Sequence, residues 1–183
     1  MRTPIFRSLL ATLAFALPLL SGTVEAASRA ELEAESRRVF DKLLADVPAA
    51  RALNERALAV LVFPSITKAG FMIGGQYGEG VLWKRNKPAG YYNTAGASYG
   101  LQAGAQQFGY AMFLMNEKAL AALGANDGFE VGVGPSVVVV DEGKAQTVTT
   151  TTARDDIYAF IFGQKGLMAS LGIQGNKITR LKD

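Results

Sequence analysis

Residues 68–104 read KAGFMIGGQYGEGVLWKRNKPAGYYNTAGASYGLQAG, and glycine recurs there at a spacing of two. Successive side chains of a strand point to opposite faces. Gly70, Met72, Gly74, Gln76, Gly78 and Gly80 therefore share one face, and Phe71, Ile73, Tyr77, Val81 and Trp83 the other. The second half repeats the pattern, with Gly96, Ser98, Gly100, Gln102 and Gly104 opposing Ala97, Tyr99, Leu101 and Ala103. Glycine weakens a strand interior unless another backbone must come close. The expectation is a small-residue face on which a strand or helix packs directly, with Phe71, Ile73, Tyr77 and Trp83 filling the opposite side.

The flanking segments extend this into an α+β chain. Residues 28–50 read as a helix with the apolar stripe Leu32, Val39, Phe40, Leu43, Leu44 and Val47. Ser28 and Glu31 have capping-box spacing, and Pro48 ends the helix. A short helix over 50–57 leads into an apolar strand, 58–63, closed by Pro64. After a basic turn at residues 84–88, a return strand starts near Gly90, and an apolar strand covers 111–115. A helix starts at Asn116 or Glu117 and runs to Leu123, with Gly124 just past its end. Residues 129–134, 135–140, 146–152, 157–162, 167–173 and 177–181 read as strands, with turns at 141–143 and 175–176 and a turn or bulge at 163–166. No regular strand–helix alternation appears, which argues against a doubly wound parallel sheet. The expected fold is a β-rich single domain with antiparallel glycine-rich sheets or a barrel-like sandwich, N-terminal helices over 28–57, a body over 58–183 and one short helix after Met115.

Arg2 and Arg7 precede an apolar run over residues 8–20, and Val24, Glu25 and Ala26 make a signal-peptidase site. This is a secretory leader pattern, with cleavage expected after Ala26. Removing residues 1–26 from 183 leaves 157, one domain by length. That part holds 17 basic and 15 acidic residues, a net charge of +2, too small for a nucleic-acid partner. The expected location is periplasmic or peripheral to a bacterial envelope membrane.

Histidine and cysteine are absent from the sequence. A Ser-His-Asp triad, a thiol nucleophile and a Cys/His zinc site are thereby excluded. Ser65 and Lys68 fit an S-x-x-K string without its partner motifs. Glu79, Asp127, Glu130 and Asp156 are the acids that could pair for glycoside hydrolysis, yet only the place of Glu79 in the glycine-rich strand sets it apart. Asp141-Glu142 and Asp155-Asp156 lack calcium-loop spacing and suit turns. The 75–80 glycine string is not G-x-G-x-x-G and opens no helix. Residues 131–136, VGVGPS, suit a corner between strands more than an anion cradle. No catalytic residue, metal site or cofactor is expected. The basic residues Lys68, Lys84, Arg85, Lys87, Lys165 and Lys177 are the candidates for binding anionic lipid headgroups.

Four strings taken in order, FPSITKAGFMIGGQYGEGV, GYYNTAGASYGLQAGAQ, GVGPS and FGQKGLMASLGIQGNKI, closely resemble the SYLF domain family. The likeness covers roughly residues 50–181. Where the family commonly has tryptophan, serine and proline, this chain has Tyr91, Tyr92, Asn93 and Thr94. The family includes the lipid-binding domain of endocytic proteins carrying SH3 domains and many exported bacterial proteins. The resemblance implies a non-enzymatic domain that binds phosphoinositides or other anionic phospholipids at a membrane surface. The actin binding of fungal relatives is not expected behind a bacterial-type leader. The alternative is a structural or envelope-assembly module with no specific lipid ligand.

Overall fold

The computed structural model describes residues 21–125, 128–131, 133–140, 154–166 and 176–182. Its elements are α1 (Ser21–Asp46), α2 (Pro48–Asn54), β1 (Ala59–Lys84), β2 (Lys87–Leu114), α3 (Glu117–Leu123), β3 (Phe129–Glu130), β4 (Val137–Val140), β5 (Ile157–Gly166) and β6 (Lys177–Arg180). The expected leader falls mostly outside the described residues, as do the strands expected at 146–152 and 167–173 and the turn at 141–143.

The α+β reading holds, and one hairpin dominates it. The expected separate strands at 58–63, 68–83, 90–107 and 111–115 are two continuous strands, β1 and β2, paired antiparallel from Ala59↔Leu114 to Lys84↔Lys87. Pro64 does not close the first strand. It sits in a register shift between Phe63 and Ile66, where its missing N–H costs no ladder bond. On its other edge β2 pairs with β6 over residues 92–95 and with β5 over 106–114. Of the turn or bulge expected at residues 163–166 it is the bulge that forms: β5 runs through them with a register shift opposite Gln107 and Gly109. β3 pairs with β6, and β4 pairs with β5 in parallel. The sheet is therefore mixed, not wholly antiparallel as expected. The 16 residues between Val140 and Ile157 are long enough for the crossover a parallel pair requires.

The helices also shift. α1 begins at Ser21, so Ser28 lies inside it and is not its cap. Pro48 starts α2 instead of ending α1; its fixed φ and missing N–H suit a first turn. Asn116 caps α3, its side-chain oxygen accepting from Ala119 N at 3.0 Å.

The sheet is curled, and its two faces carry two cores. Leu61, Phe63, Ile66, Tyr110, Met112, Ile157 and Ile178 pack on the inner face. Phe40, Leu43 and Leu53 from the two helices pack on Val62, Trp83, Phe113 and Phe160 on the outer face. Gly78 and Gly80 of β1 point inward. A methyl built at Gly78 would lie 2.7 Å from Ile66 Cγ1 and 2.8 Å from the Ser65 carbonyl oxygen. At Gly80 it would lie 2.6 Å from both Phe63 Cδ1 and the Val62 carbonyl oxygen. The second half of β1 thus lies directly against its own first half. Glycine is the residue that lets the strand fold over itself.

Candidate functional site

The hairpin tip is a two-residue loop. Arg85 (φ 50°) and Asn86 (φ 63°) both adopt left-handed backbone, the geometry of a type I′ turn, which matches the twist of the flanking strands. Lys84 and Lys87 face each other across the last pair. Residues 84–89 are all exposed. Among the described residues, none of Lys84, Arg85 and Lys87 has a carboxylate partner. Like charges placed opposite each other cost stability, so three cations in four residues form an uncompensated positive point.

α1 holds this tip in place. The Trp83 indole donates to Ser36 Oγ at 2.9 Å in a buried bond. The Arg37 guanidinium stacks 4.7 Å from the Trp83 ring centroid and donates to the Asn86 carbonyl at 3.2 Å. One turn of strand further on, Tyr91 donates to Glu33 and lies under Arg29. Between the tip, the end of α2 and the start of α3 lies a crevice of about 340 Å³. Lys84, Arg85, Asn86 and Asn54 line it, with Glu117 among them.

The other sequence candidates occupy different levels of the hairpin. Lys177 is exposed on β6, opposite Ala95. Lys165 is exposed on β5, opposite Gln107. Lys68 faces inward, only 4% exposed, opposite Gln106. It belongs to a buried polar layer with Gln76, Thr94, Gln106 and Asn176. In that inner core the Gln76 Nε2, Gln106 Oε1 and Tyr110 hydroxyl have no hydrogen-bond partner among the described residues. Burial pushes the Tyr110 phenol far above its ordinary pKa.

The residues weighed for catalysis take structural places. Ser65 is exposed and Lys68 buried, so the S-x-x-K string does not converge. Glu79 accepts from the Tyr77 hydroxyl at 2.7 Å, a bond that raises the Tyr77 pKa. Asp156 accepts from Lys118 Nζ (2.8 Å), Asn116 Nδ2 (2.7 Å) and Ser136 N (2.9 Å). These bonds, Lys118 first, hold its carboxyl well below the usual range and tie α3 to the 133–136 corner. Asp127, Asp141 and Glu142 lie outside the described residues. Among the described residues no helix is long and apolar enough to cross a membrane.

Sequence reasoning missed the clasp of Ser36 and Arg37. Its partners lie 47 and 49 residues away in the chain, and no local pattern marks such a pair. The buried layer left a faint signal, because Gln76 and Gln106 share parity with the glycines that turn inward.

Residues 95–183 match the model of the Ysc84 family, described as Las17-binding protein actin regulator. The match agrees with the SYLF resemblance of the sequence strings and includes Lys165 and Lys177, while the tip precedes it. No curated protein matches the chain.

Proposed function

With residues 95–183 matching the Ysc84 family, we propose that this chain is an exported, non-enzymatic domain, periplasmic or peripheral to a bacterial envelope membrane, that binds anionic phospholipid surfaces. The observation that carries the reading is the hairpin tip. Lys84, Arg85 and Lys87 stand exposed on a turn that α1 holds rigidly through Trp83 and Asn86. The turn fixes the backbone that carries the three cations, and each contributes about 1 kcal/mol near an anionic surface. Three such residues correspond to roughly a hundredfold in affinity at low salt, less as salt screens them.

Co-sedimentation with vesicles of phosphatidylcholine alone, and with added phosphatidylglycerol, tests this. The expected result is binding to the anionic vesicles only. Neutralising Lys84, Arg85 and Lys87 together to glutamine should remove most of it. Equal binding to both vesicle types, or no effect of the triple change, rejects the tip. A stable self-assembly seen by light scattering, with no vesicle binding at all, favours an envelope-assembly module instead.

A further inference from the structure

A second concave site lies away from the tip, on the outer face of the sheet. The C-terminal half of α1 crosses the sheet there without closing on it, leaving a groove of about 570 Å³. That volume falls within the ~300–1,000 Å³ of small-molecule sites.

The local backbone explains why the groove exists. Three strands lose their regular register beneath this part of α1. β1 bulges between Phe63 and Ile66, and β2 and β5 shift between Gln107 and Gly109. Gly163 takes a left-handed φ of 62°. Bulges re-aim side chains and break the flat surface a helix would otherwise cover. Gly109 carries no side chain, and the Phe162 ring lies against its backbone, where a methyl could not fit. The helix in turn offers a line of apolar side chains, Val39, Leu43 and Val47, four residues apart. At 1.5 Å per residue this line runs about 12 Å. Val39 and Val47 remain only partly buried, and among the described residues they line the open side of the groove.

The mouth is charged. Lys42 pairs with Asp46 at 2.6 Å and Arg38 with Glu35 at 3.8 Å, so these four largely neutralise one another. Lys165, on the β5 side, is exposed and has no carboxylate partner among the described residues. Among the described residues the surplus charge at the mouth is one cation.

The geometry points to this groove as a binding site for a single long alkyl chain with an anionic head, such as a fatty-acid carboxylate. The chain would lie along Val39, Leu43 and Val47 over Phe162, with its head at Lys165. The side of the groove lined by Val39, Leu43, Val47 and Phe162 takes a methylene chain, and the Lys165 ammonium at its mouth selects a single negative charge. This deepens the lipid reading above by placing a lipid's chain in the protein, separately from headgroup contact at the tip.

Fluorescence titration of the purified protein with cis-parinaric acid, a long-chain polyene fatty acid, and with its uncharged methyl ester tests the assignment. Saturable binding of the acid is expected. Ser65→Trp, at an exposed position lining the groove, should fill it and weaken both probes about tenfold, equivalent to losing roughly 60 Å² of apolar burial. Lys165→Glu should weaken the acid roughly threefold and leave the ester unchanged. Because Lys165 is exposed, this variant keeps the test readable if Ser65→Trp impairs folding. Absence of saturable binding, or a folded Ser65→Trp protein with wild-type affinity, overturns the site. So does equal loss of acid and ester in Lys165→Glu. Vesicle binding without uptake of the acid would reject the groove and leave the tip standing. Uptake without vesicle binding would do the reverse.

Discussion

The two halves of the β1–β2 hairpin are built from one continuous pair of strands, yet they are stabilised in opposite ways. In the half nearer the helices, both faces are covered. Val62, Trp83 and Phe113 pack under α1 and α2, and Leu61, Phe63 and Met112 pack inside the curl. In the half at the bend, the inner face carries glycines and buried polar groups, while Ile73 and Tyr77 on the outer face are exposed. Ile73 is 67% exposed and Tyr77 50%. The expectation that these two side chains fill a core is corrected: they lie beyond the reach of α1. The contrast shows that apolar burial on both faces fixes the half under the helices, whereas the half at the bend is held from its inner face, where Gly78 lies against Ile66 and the Ser65 carbonyl.

The largest expected effect tests the covered half. Phe113 is fully buried and contacts Phe40 and Phe160 at centroid separations of 6.0 and 5.4 Å. Phe113→Ala should destabilise the fold by about 3–5 kcal/mol in urea unfolding. A loss below about 1 kcal/mol would mean that the helices are not tightly docked on the sheet.

Next comes the close approach itself. Gly80→Ala places a methyl against backbone as well as the Phe63 ring, and a carbonyl oxygen cannot step aside. The cost expected is about 1–3 kcal/mol, the range of overpacking. A neutral result would show that the curl is looser than the contact distances require.

How much of this was legible in the sequence follows the range of each interaction. The period-two glycines announced a close approach, and Gly78 and Gly80 make one. Asn116 and Gly124 bounded α3 correctly because capping is local chemistry. Which face of the strand would turn inward was not legible, because that depends on curling over the whole hairpin. Lys68 therefore looked like a surface cation and lies inside. The parallel placement of β4 was hidden for the same reason, as only long-range pairing decides strand direction. At the candidate site, the cations of the tip could be read directly from residues 84–88. The helix residues that hold it, Ser36 and Arg37, could not.

A smaller effect of opposite sign is expected inside the curl. The Tyr110 hydroxyl is buried without a partner among the described residues. Leaving such a group unpaired costs roughly 1–3 kcal/mol, so Tyr110→Phe should stabilise the protein, by about 1 kcal/mol after repacking. The same change should alter alkaline behaviour. The folded-state pKa of Tyr110 is raised, so the native state holds the phenol neutral while the unfolded chain ionises near pH ~10. Its contribution is present below that pH and is lost as the pH rises above it. Melting temperatures of wild type and Tyr110→Phe should therefore diverge further between pH 9 and 11. Parallel curves would show that the hydroxyl reaches water or a hydrogen-bond partner.

The smallest effect bears most directly on the comparison. Ile73 stands on the outer face beyond the helices, paired in register with Tyr99. At 67% exposure it contributes little burial, and Ile73→Ser should change stability by no more than about 0.5 kcal/mol, as at other surface positions. The outcome separates two accounts of the half at the bend. If the change is silent in dilute monomeric protein, the bend is held by its inner face alone, as the close contacts at Gly78 and Gly80 imply. If it costs as much as a core truncation, something covers Ile73 in solution, and the loss should then depend on protein concentration, since mass action ties the stability of a covered face to its partner. Urea unfolding at two protein concentrations decides between them.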